Sequence, residues 1–107
     1  MRIEALKYRT DDKQDIIIVV GFYESHMKTV WKIDDIKYKT SRQRVYKYYS
    51  NTFRDNYEYR RLETEERDNY RMQKYIEFVG KDKLNEAVMA AWQMMKPDLE
   101  NISTGNI

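Results

Sequence analysis

The stretch "DIIIVVGFY", residues 15–23, decides the fold. Ile16, Ile17, Ile18, Val19 and Val20 are all β-branched, and such side chains suit the pleated surface of a strand better than a helix. Apolar residues on both alternating faces mark a central strand covered on each side, so residues 16–20 are expected at the middle of the core. Upstream, "RIEALKY" alternates loosely and is joined to the run by "TDDKQD", a polar turn suited to antiparallel neighbours. Downstream, "ESHMK" leads into "TVWKI", where Thr29, Trp31 and Ile33 fall on one face. The expectation is a three-stranded antiparallel meander over residues 1–36.

Beyond residue 40 the periodicity changes from two to three and four. Thr40 or Ser41 is placed to cap a helix carrying Val45, Tyr48, Tyr49, Thr52 and Asn56 on one stripe and ending between Asn51 and Arg61. Thr64 is placed to cap a second, with Glu65 and Glu66 in its first turn, Met72, Tyr75, Ile76 and Val79 as its core face and Gly80 as its stop. Asp82 then caps a third, with Leu84, Ala87, Val88, Ala91, Trp92 and Met95 in register until Pro97. The fold class read from this pattern is α+β, a three-stranded sheet followed by three helices. All 107 residues form one domain, with a helical part over 40–97 and a lightly packed tail over 98–107.

Composition narrows the function. A chain with 36% charged residues, three Gly and one Pro is helix-rich and globular rather than a linker. No cysteine and one histidine exclude disulfides, thiolate metal sites and His-rich clusters, and no cofactor is expected. The start "MRIEALKYRTDD" has no apolar signal region, and "IIIVV" is too short to cross a bilayer, so the reading is a cytoplasmic protein with no membrane partner.

Catalytic arrangements are scarce. There is no Gly-rich phosphate loop, no nucleophile elbow and no zinc-protease motif. His26 falls in a turn, where a solvated or capping role outweighs a catalytic one. Asp34 and Asp35, followed by Lys37 and Lys39, resemble the edge of a metal-dependent nuclease but lack a third carboxylate. The expectation is a protein that is not an enzyme.

The tetrapeptide Arg-Asp-Asn-Tyr occurs twice, from Arg54 and from Arg67, with no similarity beyond those positions, and reads as biased composition rather than a repeat. The charge asymmetry is more informative. From Ile36 to Arg54 there is no acid, while Lys37, Lys39, Arg42, Arg44, Lys47 and Arg54 are interleaved with Tyr46, Tyr48 and Tyr49. Lysine and arginine neutralise phosphates and tyrosine stacks on unpaired bases, so the segment reads as a DNA or RNA contact. It equally reads as an anchor set for an acidic protein surface, with Arg42, Arg44, Tyr46 and Tyr49 as the anchors, or as an amphipathic helix with tyrosines inward. Glu63, Glu65, Glu66 and Asp68 either pair with this segment or form a separate acidic surface imitating nucleic acid.

The last helix, "LNEAVMAAWQMMKP", resembles the closing helix of small phage and prophage proteins of Gram-positive bacteria, some of which inhibit host defence, including anti-CRISPR proteins. That resemblance implies an accessory protein that binds a host protein or ribonucleoprotein complex. Direct DNA or RNA binding is the alternative, a metal-dependent nuclease is a distant third, and a homodimer burying the tyrosines stays open.

Overall fold

The computed structural model describes the backbone of residues 1–105 and the side chains of residues 1–95. Four strands form one antiparallel sheet in sequence order: β1 (Arg2–Arg9), β2 (Gln14–Ser25), β3 (Lys28–Thr40) and β4 (Lys47–Tyr48). A 3-10 turn (Tyr49–Thr52) and three helices follow: α1 (Tyr57–Arg60), α2 (Thr64–Val79) and α3 (Lys81–Gly105). The class is therefore α+β as read, with a fourth short strand that the pattern did not announce.

The central position of β2 follows from its sequence. Ile16, Ile18, Val20 and Phe22 meet the helices and form the core with Ala5, Ile33, Ile36, Tyr75, Leu84, Ala87 and Ala91. Ile17 and Val19, on the opposite face, are also buried. Val19 lies beside Arg2 and Glu4 of β1, Lys37 of β3 and Tyr48 of β4. β3 runs seven residues further than "TVWKI" suggested, because Ile36 and Tyr38 continue the inward face after an irregularity opposite Val19 and Val20.

The helix expected from Thr40 or Ser41 does not form. Gln43 turns the chain instead, its side chain accepting from the Thr40 amide at 2.9 Å and its own amide donating to the Thr40 carbonyl at 3.1 Å. Lys47 and Tyr48 then pair with Tyr38 and Lys37 as β4. Tyrosine, valine, serine and threonine dominate this stretch, and each is a weak helix former or a competitor for local backbone bonds. Tertiary anchors decide the path: Tyr49 and Phe53 enter an aromatic cluster, and Ser50 is tied to Asp35. Val45, placed on the apolar stripe, is exposed.

The other helical expectations hold with shifted ends. Glu63, not Thr64, is the N-cap of α2, and Gly80 ends it at φ 87, a left-handed backbone that glycine adopts freely. α3 starts at Lys81, one residue before Asp82, and continues through Pro97 rather than stopping there. Pro97 has no amide proton, so the helix forgoes one bond to the Gln93 carbonyl. The lightly packed tail expected over 98–107 falls on residues whose side chains lie outside the described part. The two Arg-Asp-Asn-Tyr copies take different structures, the first in the turn that leads into α1, where Asn56 caps, and the second inside α2.

Candidate functional site

The basic segment divides into three chemically distinct groups. Lys37 and Lys39 lie on β3. Lys37 donates to Glu4 on β1 at 2.9 Å, and Lys39 donates to Asp15 on β2 at 3.1 Å. Arg9 also reaches Asp15, at 2.7 Å. Lys37 sits over the ring of Tyr48 and Lys39 over that of Tyr46, with 5.5 and 5.4 Å from nitrogen to ring centre. These pairs set the local ionisation: Lys37 holds the Glu4 carboxyl below the usual carboxylate range, and Arg9 with Lys39 does the same for Asp15. Two of the six cations are thus already neutralised by acids of neighbouring strands.

A fourth ion pair lies on this face. Asp34 accepts from Arg2 at 2.6 Å and from the Tyr23 hydroxyl at 2.5 Å. Gly21 lies directly beneath; a Cβ there would come within 2.7 Å of Tyr23 and 2.9 Å of the Asp34 carboxyl carbon. The face is a charged lattice laid over Ile17, Val19 and Gly21.

Tyr49 belongs to the second group, the core. Its ring stacks on Phe78 and meets Tyr38, Phe53 and Tyr75, and burial pushes its hydroxyl up from the ordinary phenol value. The third group is exposed. Arg42 and Arg44 stand in the turn after β3, Lys47 on β4 and Arg54 before α1, and none has an ion-pair partner among the described residues. Glu63, Glu65, Glu66 and Asp68 are exposed as well and make no ion pair with the basic segment among the described residues.

The nuclease arrangement is not assembled. Asp34 is engaged by Arg2 and Tyr23. Asp35 is buried and accepts from the Ile36 amide at 2.8 Å, the Ser50 amide at 3.1 Å and the Ser50 hydroxyl. Among the described residues no group of three or more His, Cys, Asp or Glu is placed to hold a metal ion. His26 forms the tip of the β2–β3 hairpin with Met27, both at positive φ, far from any carboxylate pair.

A second surface was not read from the sequence. Between the inner face of the β2–β3 hairpin and helices α2 and α3 runs an open seam of three adjoining cavities. The first, about 200 Å³, is lined by Lys32, Ile33, Asp68, Arg71, Met72 and Tyr75, together with Asn69. The second, also about 200 Å³, shares Ile33 and Met72 with it and adds Trp31, Lys81, Leu84 and Val88 among its walls. The third is the largest, about 470 Å³, and shares Trp31 and Val88 with the second while adding Phe22, Met89 and Trp92. Trp31 is 47% exposed and Trp92 46%, although each occupies a position that reads as core on its own element.

Arg71 closes one end of the seam. Its guanidinium is half-buried, donates to the Asp34 carbonyl at 2.6 Å and to the Tyr75 hydroxyl at 3.4 Å, and has no carboxylate partner among the described residues. Burial pushes the Tyr75 hydroxyl up to about 12, so it stays neutral beside this cation. The sequence did carry one signal for the seam: two tryptophans and six methionines in 107 residues are more than this small core takes in. No helix among the described residues is long and apolar enough to cross a membrane. Comparison with protein-family models, with curated proteins and with solved structures found no significant match.

Proposed function

We propose that this chain is a non-enzymatic binding domain that recognises a protein partner through the seam between β3 and helices α2 and α3. One observation carries the reading: Trp31 and Trp92 stand half-exposed on the two walls of a single open groove. Contiguous exposed apolar surface in a small protein marks interaction sites, and tryptophan dominates the energetics of such sites. Met89 supplies an adaptable lining on the same wall.

The test is affinity capture from a cell lysate with the wild type, with Trp31→Ala plus Trp92→Ala, and with Arg42→Ala plus Arg44→Ala. A specific partner retained by the arginine variant and lost by the tryptophan variant supports the groove. The reverse pattern returns the contact to the basic segment.

Direct DNA or RNA binding is the second reading, favoured by the four exposed, unpaired cations Arg42, Arg44, Lys47 and Arg54. Its scope is reduced by Lys37 and Lys39, already paired with Glu4 and Asp15, and by Tyr49, whose ring is already stacked on Phe78. A fluorescence-anisotropy titration with short DNA and RNA at about 50 and 200 mM salt separates the two, since phosphate contacts weaken steeply with salt. A phage-type accessory role directed at a host complex rests on the resemblance of the last helix alone.

A further inference from the structure

The seam has a backbone wall as well as an apolar one. β4 pairs only with Lys37 and Tyr38, so the outer edge of β3 is unpaired from Lys28 to Asp34. Which groups point outward follows from the far side of the sheet. The Phe22 amide donates to the Met1 carbonyl at 2.8 Å, and the Phe22 carbonyl accepts from the Met1 nitrogen at 2.8 Å. Both backbone groups of Phe22 are therefore turned toward β1, and its partner across β2 and β3, Trp31, is a non-hydrogen-bonded neighbour. The N–H and C=O of Trp31 point away from β2. Alternation gives Thr29 and Ile33 the same orientation, and no other hydrogen bond reaches these six groups among the described residues.

Side chains along this edge alternate in character. Thr29, Trp31 and Ile33 face the groove, while Lys28, Val30 and Lys32 face the charged side of the sheet, where Lys32 lies over the Tyr23 ring. Of the residues lining the three cavities, Lys32, Arg71 and Lys81 are cationic and Asp68 alone is acidic. The unpaired Arg71 guanidinium sits beside the end of the open edge, bonded to the Asp34 carbonyl.

We infer that β3 accepts an extended segment of a partner protein as an added strand, one in which apolar residues alternate with acidic ones. Its backbone completes the outward bonds of Thr29, Trp31 and Ile33; its apolar side chains enter the groove beside Trp31, Val88 and Trp92; its acids, on the opposite face, meet Lys28 and Lys32. A second copy of this chain is a poor occupant, because pairing β3 with itself sets Lys28 and Lys32 against the same lysines, the device by which open edges resist self-association. The inference rests on the protein-binding reading and adds the binding mode and partner chemistry.

The test uses labelled peptides of about eight residues, a usual strand length, that alternate valine or tyrosine with glutamate. A second probe replaces glutamate by lysine, and a third carries N-methyl groups on every second amide. The full chain is expected to bind the glutamate probe, to slow hydrogen exchange at the Thr29, Trp31 and Ile33 amides, and to bind the lysine probe on the order of tenfold more weakly. Lys28→Glu plus Lys32→Glu, both exposed positions, is expected to invert that preference. N-methylation is expected to abolish binding while leaving every side chain in place. If the N-methylated probe binds as well as its parent and Trp31→Ala removes both, the groove is a protein site but strand addition is wrong. If the glutamate probe fails to bind, or the charge-reversed variant keeps the original preference, the inference is overturned, whatever the lysate capture returns for the groove itself.

Discussion

The ring of Tyr49 lies parallel to that of Phe78, with centroids 4.1 Å apart and planes 8° from parallel. This one stack fixes the 3-10 turn onto the end of α2 and removes Tyr49 from the surface it was expected to serve. Tyr49 is half-buried, so Tyr49→Ala is expected to cost about 2–3 kcal/mol, less than truncation of a fully buried aromatic, whereas Arg42→Ala should change stability by less than about 0.5 kcal/mol. Urea unfolding of the two variants distinguishes them, and a Tyr49→Ala cost near that of Arg42→Ala would show that the cluster is not structural.

Asp35 is a buried carboxylate that accepts from one neighbouring amide and from two groups of Ser50. Ser50→Ala removes the hydroxyl donor but keeps the amide, and should lower stability by about 1–3 kcal/mol. Thermal unfolding measures the loss. A neutral result would mean that water replaces the hydroxyl without cost.

The charged face of the sheet predicts sensitivity to acid. Glu4 and Asp15 ionise more readily in the folded chain than in the unfolded one, because Lys37 faces the first and Arg9 and Lys39 the second. Groups depressed in this way stabilise the fold above their ordinary unfolded pKa of about 4, and the contribution disappears as pH falls from there through the lower folded value. A melting temperature that is flat from pH 7 to 5 and falls below pH 4 is expected, with a shallower fall for Glu4→Gln plus Asp15→Asn. An identical acid profile for that variant would assign the loss elsewhere.

His26 and Met27 adopt φ of 50 and 65 at the hairpin tip. Left-handed backbone costs an L residue with a side chain about 1–2 kcal/mol, and Asn-Gly is the pair that a two-residue turn of this hand prefers. His26→Asn plus Met27→Gly should therefore stabilise the chain by about 1 kcal/mol. Unchanged or reduced stability would mean that glycine's gain in unfolded-state freedom cancels the relief.

The elements that could be read from sequence are those in which local pattern and tertiary demand agree. The β-branched run of β2 and the stripes of α2 and α3 bury the faces their spacing marks. The segment after Thr40 fails that agreement. Its tyrosines sit at helical spacing, but Tyr49 and Phe53 are drawn into the aromatic cluster while Tyr46 and Tyr48 lie beside lysines of β3. The pairing of Lys37 with Glu4 joins residues 33 apart along the chain, so a count of local charge left it cationic. Trp31 and Trp92 occupy inward positions on their own elements, yet each lines the open groove and stays about half exposed, a tertiary outcome that local spacing does not encode.

The same exposed lining makes the seam vulnerable to oxidants. Met27 is fully exposed at the hairpin tip, and Met89, in the groove, is 69% exposed, whereas Met95 is buried. Conversion of a thioether to its sulfoxide turns a pliable apolar side chain into a polar one. Peroxide should thus modify Met27 and Met89 well before Met95, raising the polarity of the groove while the core stays intact, so the seam would age chemically faster than the fold that carries it.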